Sequence, residues 1–256
     1  MSKRPLFLLS NDDGVHAPGI GILANVVALF GDVVVVAPHT ERSATSHSIT
    51  ILTPLRYERL EENVYAVEGT PADCVLFAYR ELLDRKPDWV ISGINRGANL
   101  GTDTIYSGTV GAAVEGVLQG SRAMAVSCDG QDTKNLNYET AAIIVEKILE
   151  KRANICSNFR GLMNINVPSV PIEDIKGIKP AVLGRRNYHP QFMRGTDPRG
   201  KDYYWMGGEA EGYEDIPGSD CEYVDQNYAT ISFLRPSLFD EVGHRQLEQD
   251  LAKVFG

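Results

Sequence analysis

Apolar runs that no polar residue interrupts alternate along the chain with segments of helical periodicity. The first runs are Pro5–Ser10 and Asp32–Pro38, and the segment Gly19–Phe30 between them carries apolar residues at helical spacing. A strand that is apolar at nearly every position is buried on both faces, as the strands of parallel sheets are. The alternation therefore predicts an α/β fold with a doubly wound, mostly parallel sheet.

The alternation continues to about residue 150, and periodicity then weakens. Further strands are predicted at 88–93, 123–128, 162–168, 203–206 and 228–234, and further helices at 109–119 and 138–151. Ile49–Leu52 and Val64–Val67 alternate differently, which predicts an inserted hairpin-like pair. We expect a single domain over residues 1–256. Its core covers about 1–150 and 160–178, and an irregular, β-rich C-terminal extension of about 179–256 serves oligomerisation.

Charge, cysteines and hydropathy exclude several classes of protein. The 256 residues carry a formal net charge of −9, whereas general nucleic-acid binders carry a basic excess, so we expect no nucleic acid polymer as partner. The four cysteines are scattered without a CxxC pair, which is typical of buried thiols in a reducing compartment. The N-terminus lacks the long apolar stretch of a signal peptide, and no run approaches the roughly 20 apolar residues of a spanning helix. We expect a cytoplasmic protein with no membrane partner.

Polar residues follow three of the predicted strands. The first strand ends in Asn11–Gly14, the second leads into the polar loop 39–48, and the third leads into 92–99. Open α/β sheets bind ligands beyond the carboxyl ends of their strands. These loops, far apart in sequence, should therefore meet at one edge of the sheet.

The adjacent carboxylates Asp12 and Asp13 are candidate ligands for a hard divalent cation, which would neutralise their mutual repulsion. Ser43 and Asn95 are neutral oxygen donors on the next two loops, and the four together would leave positions open for water and substrate. The residues alone also allow a helix cap at one aspartate, a solvated Ser43 and an Asx turn at Asn95.

A phosphate site is predicted where Ser107-Gly108-Thr109 opens a helix. The first turn of a helix offers free amide hydrogens and a positive dipole end, and glycine lets the backbone approach an anion closely. An ordinary serine cap is the alternative. Asn11 and Asn99, in the loops at the strand tips, complete the residues that we expect around phosphate or substrate.

The motifs, taken in order, resemble those of the SurE family of survival proteins and 5′-nucleotidases. The motifs are Asn11-Asp12-Asp13-Gly14, Glu41-Arg42-Ser43 with Ser46-His47-Ser48-Ile49-Thr50, Gly69-Thr70-Pro71-Ala72-Asp73-Cys74, Ser92-Gly93-Ile94-Asn95-Arg96-Gly97 and Ser107-Gly108-Thr109. The likeness is dense over about the first 130 residues and looser beyond them. Five separated motifs in one order are more specific than any one of them.

The resemblance implies a Rossmann-like core and one divalent cation per subunit, Mg²⁺ or Mn²⁺, held by Asp12, Asp13, Ser43 and Asn95. It implies a metal-dependent phosphomonoesterase that hydrolyses nucleoside 5′-monophosphates and also 3′-monophosphates, and in some members short polyphosphate. It also implies a homodimer or homotetramer built with the C-terminal arms.

The mechanism that we expect is attack on phosphorus by a water activated at the cation, with Asp12 and Asp13 as the catalytic residues. Either aspartate could instead act as base or attack directly. Three other interpretations stay open. An aspartate-nucleophile phosphatase would have a DxD motif after the first strand, whereas the aspartates here are adjacent. A non-catalytic nucleotide-binding regulator would need only the fold. A Rossmann dehydrogenase would need a GxGxxG fingerprint, which is absent after the first strand.

Overall fold

The computed structural model of the chain describes residues 4–130, 132–152, 161–189, 191–208 and 210–255. The strands within these ranges are β1 (Leu6–Ser10), β2 (Asp32–Pro38), β3 (Tyr57–Glu61), β4 (Val64–Val67), β5 (Trp89–Arg96), β6 (Arg122–Asp129), β7 (Leu162–Pro168), β8 (Ile178–Pro180), β9 (Arg186–Tyr188), β10 (Gln191–Thr196), β11 (Asp202–Gly207), β12 (Ala210–Tyr213) and β13 (Ala229–Leu234). The helices are α1 (Pro18–Val27), α2 (Pro71–Phe77), α3 (Gly108–Leu118), α4 (Tyr138–Glu150), α5 (Asp220–Asp225) and α6 (Glu241–Phe255).

One nine-stranded sheet in the order β3-β4-β2-β1-β5-β6-β7-β13-β8 organises the described residues. Its central strands β4, β2, β1, β5, β6 and β7 are parallel. The sheet is antiparallel where β3 meets β4 and where β13 meets β7. The predicted doubly wound, mostly parallel fold is confirmed.

Two hydrophobic cores lie on opposite faces of this sheet, because successive side chains of a strand point to opposite sides. Phe7 and Leu9 of β1 pack in one core with side chains of α1 and α4. Leu8, between them in sequence, packs in the other core with side chains of α2 and α3. Helices on both faces leave the carboxyl ends of the parallel strands as an edge at which loops gather.

The prediction of a strand at Ile49–Leu52 is wrong. Ile51 and Leu52 are exposed, and the amide of Thr50 donates to Asp73 Oδ1 at 2.9 Å. This segment therefore crosses the start of α2 and does not pair with the sheet. The hairpin partner of β4 is β3, which precedes it in sequence and runs antiparallel to it.

The strand predicted at 88–93 runs further than expected, so Asn95 lies on β5 and not in a loop. The pairing of β5 with β6 shifts between Ser92 and Asn95. It resumes with Asn95 opposite Ser127 and Arg96 opposite Cys128. Because the pairing resumes after this irregularity, Asn95 is still paired with β6 although it lies near the carboxyl end of β5.

The C-terminal extension contains more regular structure than its sequence pattern predicts. β10 and β11 form an antiparallel hairpin that includes the predicted strand 203–206, and β9 pairs with β12. β13, also predicted, enters the central sheet between β7 and β8. The amphipathic spacing of α6 was missed by the sequence interpretation.

The described cysteines are buried, as the sequence predicts. Cys74, Cys128 and Cys221 are buried free thiols, and Cys156 lies outside the described residues. Among the residues that the structure describes, no helix is both long and apolar enough to cross a membrane.

The close packing of α3 on the sheet gives the first testable prediction. A Cβ added at Gly116 would lie 2.6 Å from Cβ of Val90, whereas one added at Gly21 of α1 meets nothing within 4 Å. Gly116→Ala should therefore lower the free energy of unfolding by about 1–3 kcal/mol through overpacking. Gly21→Ala, its matched control, should raise it by up to about 1 kcal/mol. Urea denaturation followed by circular dichroism measures both, and equal shifts of one sign would contradict the packing described.

Candidate active site

Asp12 is held by the first turn of α3. Its side chain is 4% exposed, and Thr109 donates its amide to Oδ2 at 3.0 Å and its hydroxyl to Oδ1. Gly108 permits this approach, because a Cβ there would lie 2.9 Å from Cβ of Asp12. Burial raises the pKa of Asp12, and the bonds from Thr109 oppose the rise.

Asp13 faces the end of β5. The amide of Arg96 donates to Oδ2 of Asp13 at 2.9 Å, and the guanidinium Nε lies 3.8 Å from Oδ1. Burial raises the pKa of Asp13 to about 6, against the hydrogen bond from Arg96 and with a smaller contribution from the charge of Asp12. Two neighbouring carboxylates thus resist ionisation in this structure, which is the condition that a bound cation relieves.

The loop that carries Ser43 is hydrogen-bonded both to the turn after β1 and to the segment just before α3. The amide of Arg42 donates to the Asp12 carbonyl at 2.7 Å, and the amide of Ser46 donates to the Tyr106 carbonyl at 2.9 Å. The hydroxyl of Ser43 donates to Oε1 of Glu41 at 2.8 Å. Because its proton is used in this way, the oxygen of Ser43 presents lone pairs to any cation.

Two helices fix the remainder of this loop. His47 Nε2 lies 2.8 Å from Glu115 Oε2 on α3, and this contact is the main cause of the lowered pKa of Glu115. At the start of α2, Thr70 and Asp73 form a capping box. The same Asp73 accepts the amide of Thr50, so the cap of α2 also holds the loop.

Asn95 and Asn99 stand on either side of the turn after β5. Nδ2 of Asn95 donates to the Gly97 carbonyl at 2.8 Å. In an Asx turn Oδ1 would instead accept a backbone amide, so this bond leaves Oδ1 for a cation. Asn99 is buried, donates to Ser127 Oγ at 2.8 Å and accepts at its carbonyl from Asn164 Nδ2 at 2.8 Å. This buried polar network fixes the turn to β6 and β7.

Ser107 caps α3, and Asn11 closes the turn after β1. Ser107 Oγ accepts the amide of Val110 at 3.1 Å and keeps its own proton. Asn11 uses both polar atoms on Gly14, donating to its carbonyl at 2.8 Å and accepting its amide at 3.2 Å. Asn11 is fully buried, and with these two bonds it supports the turn after β1.

A cleft of about 740 Å³ brings most of these residues together. The residues predicted from sequence that line it are Asp12, Ser43, Asn95, Asn99 and Ser107. Asp13 instead lines a neighbouring cavity of about 520 Å³ beside Glu41 and Arg96. Thr109 and Gly108 lie behind Asp12, where the two donors of Thr109 already face that carboxylate.

The sequence interpretation missed the far wall of the cleft, which includes Asp103, Arg186, Tyr188 and Met206. Arg186 Nη1 and the Tyr188 hydroxyl both donate to Asp103 Oδ2, at 2.9 and 2.5 Å. These residues are 83 and 85 positions apart in sequence, so no local pattern could join them. The basic-aromatic triplet Arg186-Asn187-Tyr188, in a segment without periodicity, was the only available signal.

The donor set suits a hard cation. Within the described residues, no group of three or more His, Cys, Asp and Glu side chains is placed to hold a metal ion. The set at the strand tips consists instead of two carboxylates, a hydroxyl and an amide oxygen. Mg²⁺ and Mn²⁺ take such oxygen ligands, whereas softer ions prefer thiolate or imidazole.

The chain is similar to known proteins over most of its length. The sequence profile of the family described as Survival protein SurE matches residues 7–190. The chain belongs to the SurE family. Among curated SurE proteins, the 5′-nucleotidase SurE of Actinobacillus succinogenes is 43% identical over 241 residues, which cover 94% of this chain and 96% of the relative. The 5′-nucleotidase SurE of Mannheimia succiniciproducens is 47% identical over 225 residues, or 88% and 90% of the two chains.

A solved SurE structure shares the fold. The crystal structure of the SurE protein from Aquifex aeolicus superposes with a TM-score of 0.84 at 38% identity, over 96% of this chain and 99% of that one. The SurE relatives are matched almost to full length, so the likeness includes the extension beyond the profile match.

The raised pKa of Asp13 predicts a pH-dependent stability of the metal-free protein. Well below its ordinary pKa of 3.8 the carboxyl of Asp13 is protonated in both the folded and the unfolded state, so its ionisation does not affect stability there. Above its folded pKa of about 6 the folded state must hold a buried charge, which lowers the free energy of unfolding by on the order of 3 kcal/mol. Asp13→Asn should therefore gain stability over the wild type as pH rises from about 4 to about 7.

Urea denaturation in EDTA across this range measures the difference between the two proteins. Asp32→Asn, at an exposed carboxylate at the opposite end of the sheet, controls for the loss of one negative charge. A difference between wild type and Asp13→Asn that stays constant with pH would show that burial of Asp13 does not raise its pKa.

Proposed function

We propose that this chain is a metal-dependent 5′-nucleotidase, a phosphomonoesterase that releases phosphate from nucleoside 5′-monophosphates. The observation that carries the proposal is the contact of buried Asp12 with the first turn of α3. In this arrangement Asp12, Ser43 and Asn95, three of the proposed cation ligands, share one cleft with Ser107 at the start of α3. The SurE relatives named 5′-nucleotidase support the substrate class. The resemblance of the motifs extends the proposal to 3′-monophosphates and short polyphosphate.

The phosphate would lie at the start of α3. Two amides of the first turn are already used, those of Thr109 on Asp12 and of Val110 on Ser107. The amide of Gly108, which has no acceptor among the described residues, and the free proton of Ser107 are therefore the donors left for an anion. The positive end of the helix dipole adds to their attraction for phosphate.

Asp12, Asp13, Ser43 and Asn95 would hold one Mg²⁺ or Mn²⁺. When bound, the cation supplies Lewis-acid stabilisation of the charge on the phosphoryl oxygens. Arg96 contacts both Asp13 and Glu41, and its Nη2 donates to Glu41 Oε2 at 2.7 Å. It thereby fixes the positions of these two carboxylates relative to each other. Positioning of this kind accounts for most of the catalysis in phosphoryl transfer.

The geometry of Asp12 supports water, and not this aspartate, as the nucleophile. Each of its oxygens accepts a hydrogen bond from Thr109. If Asp12 attacked phosphorus, the attacking oxygen would lose its negative charge, and the hydrogen bond that it accepts from Thr109 would weaken. Asp12 is therefore a ligand of the cation in our proposal, and it does not attack phosphorus. Asp13, which is less deeply buried, orients the attacking water together with Asp12.

The extension would form the contacts of a homodimer or homotetramer. The hairpin of β10 and β11 exposes large apolar side chains on both faces, among them Phe192, Met193 and Trp205. α6 exposes Leu247 and further apolar residues along its length. Contiguous exposed apolar surfaces mark protein interaction sites.

Chelation tests the proposed activity directly. Release of phosphate from adenosine 5′-monophosphate should stop in EDTA and return with Mg²⁺ or Mn²⁺, because the cation stabilises the charge at phosphorus. Asp12→Asn should lower kcat/KM by at least about 100-fold, whereas Asp32→Asn should leave it unchanged. Activity that survives chelation would refute the metal model. Nucleotide binding by the wild type without turnover would favour the non-catalytic regulator.

The oligomer is tested by sedimentation velocity. Met193 and Trp205 lie opposite each other on the hairpin, so the double variant Met193→Glu/Trp205→Glu places two charges on one face. The wild type should sediment as a dimer or tetramer of the 28.1 kDa chain, and the variant as a smaller species. Leu29→Glu charges an exposed apolar position at the end of α1 and is the control. A monomeric wild type at micromolar concentration would exclude this part of the proposal.

A further inference from the structure

The two ends of the cleft differ in chemistry. One end carries the oxygen ligands and the start of α3, and the other carries Asp103, Arg186 and Tyr188. Asp103 lies in the short helical turn Gly101–Ile105, just before the Ser107 cap. Asp103 and Ser107 line the same cleft, so a ligand whose phosphate sits at Ser107 can reach Asp103 with a neighbouring chemical group.

Asp103 is held with one oxygen engaged and the other available. Arg186 Nη1 and the Tyr188 hydroxyl both donate to Oδ2. Oδ1 has no hydrogen-bond partner among the described residues, and the side chain is 15% exposed. Burial, with Asp103 as a further cause, raises the pKa of Tyr188 to about 12, so this hydroxyl stays a donor at neutral pH.

The free oxygen selects a donor ligand and not an anion. A carboxylate repels a second phosphate, and the charge of Arg186, the cation beside it, is already compensated by Asp103 at 2.9 Å. Hydroxyl groups are the natural donors to such an oxygen, and hydrogen bonds to ionised acceptors are among the strong ones. In a nucleoside monophosphate, hydroxyls lie one sugar ring away from the phosphate.

We propose that Asp103 is a specificity residue that accepts a ribose hydroxyl of the substrate, and that Arg186 and Tyr188 are the positioning residues that orient it. The inference rests on the proposed nucleotidase function and names the part of the substrate that the far wall recognises. Tyr106 and Met206, at the rim of the same cleft, offer apolar surface on which any base can stack. The sugar is thus read by hydrogen bonding and the base by contact.

The test compares kcat/KM for adenosine 5′-monophosphate with kcat/KM for its 2′,3′-dideoxy analogue, in the presence of Mg²⁺ or Mn²⁺. The wild type should favour the ribonucleotide by at least about tenfold, because the analogue leaves Asp103 unpaired. Asp103→Asn should bring this ratio close to one. Tyr188→Phe, which removes a single hydroxyl, should lower the ratio by less, mainly through KM for the ribonucleotide.

Glu214→Gln is the matched control. Glu214 pairs with Arg185, the neighbour of Arg186, at 3.4 Å on the exposed side, and its removal should leave the ratio unchanged. A purely structural role of Asp103 would lower kcat/KM for both substrates in parallel, and that result would overturn the inference. So would a wild type that hydrolyses both substrates equally. Absence of phosphate release from either substrate would overturn the proposed nucleotidase function itself, and this inference with it.

Discussion

The pair of hydrogen bonds from Thr109 to Asp12 is the contact on which the rest of the site depends. It joins the tip of β1 to the first turn of α3 across 97 positions of sequence, and it requires glycine at position 108. Through it, a helix that packs tightly on one face of the sheet fixes a carboxylate at the sheet's edge. The Ser43 loop is then attached to both partners, to Asp12 by Arg42 and to α3 by His47.

Much of this site could be predicted from sequence, because the rule behind it is local. Asp12, Asp13, Ser43 and Asn95 each follow or end a buried strand, and parallel strands carry their carboxyl ends to the same edge. Ser107 was visible as a helix cap. The roles of Thr109 and Asn11 were not, since a side chain that binds a ligand and one that supports its neighbour look alike in sequence.

The fold prediction is limited for the same reason, because local sequence patterns do not show which distant residues a segment will contact. β1, β2 and β6 are buried on both faces and are therefore recognisable in the sequence as apolar runs. Ile49–Leu52 has the sequence pattern of a strand, but the amide of Thr50 donates to Asp73 and the segment does not join the sheet. In the extension, short strands with exposed faces leave little periodicity to detect. Asp103 and its partners Arg186 and Tyr188 could not be found from sequence, because they come into contact only when the extension packs against the core.

The cleft is thus built from two stretches of chain under different constraints. The strand tips that would carry the chemistry are tied into the sheet and its two cores. The opposite wall comes from β9 and the base of the β11 hairpin, where Met206 and Gly207 line the cleft and most side chains face outward. Substitutions there meet few packing restrictions. Substitutions in this wall can therefore change the contacts to substrate while the proposed cation ligands stay fixed, and a partner that binds the hairpin would also contact one wall of the cleft.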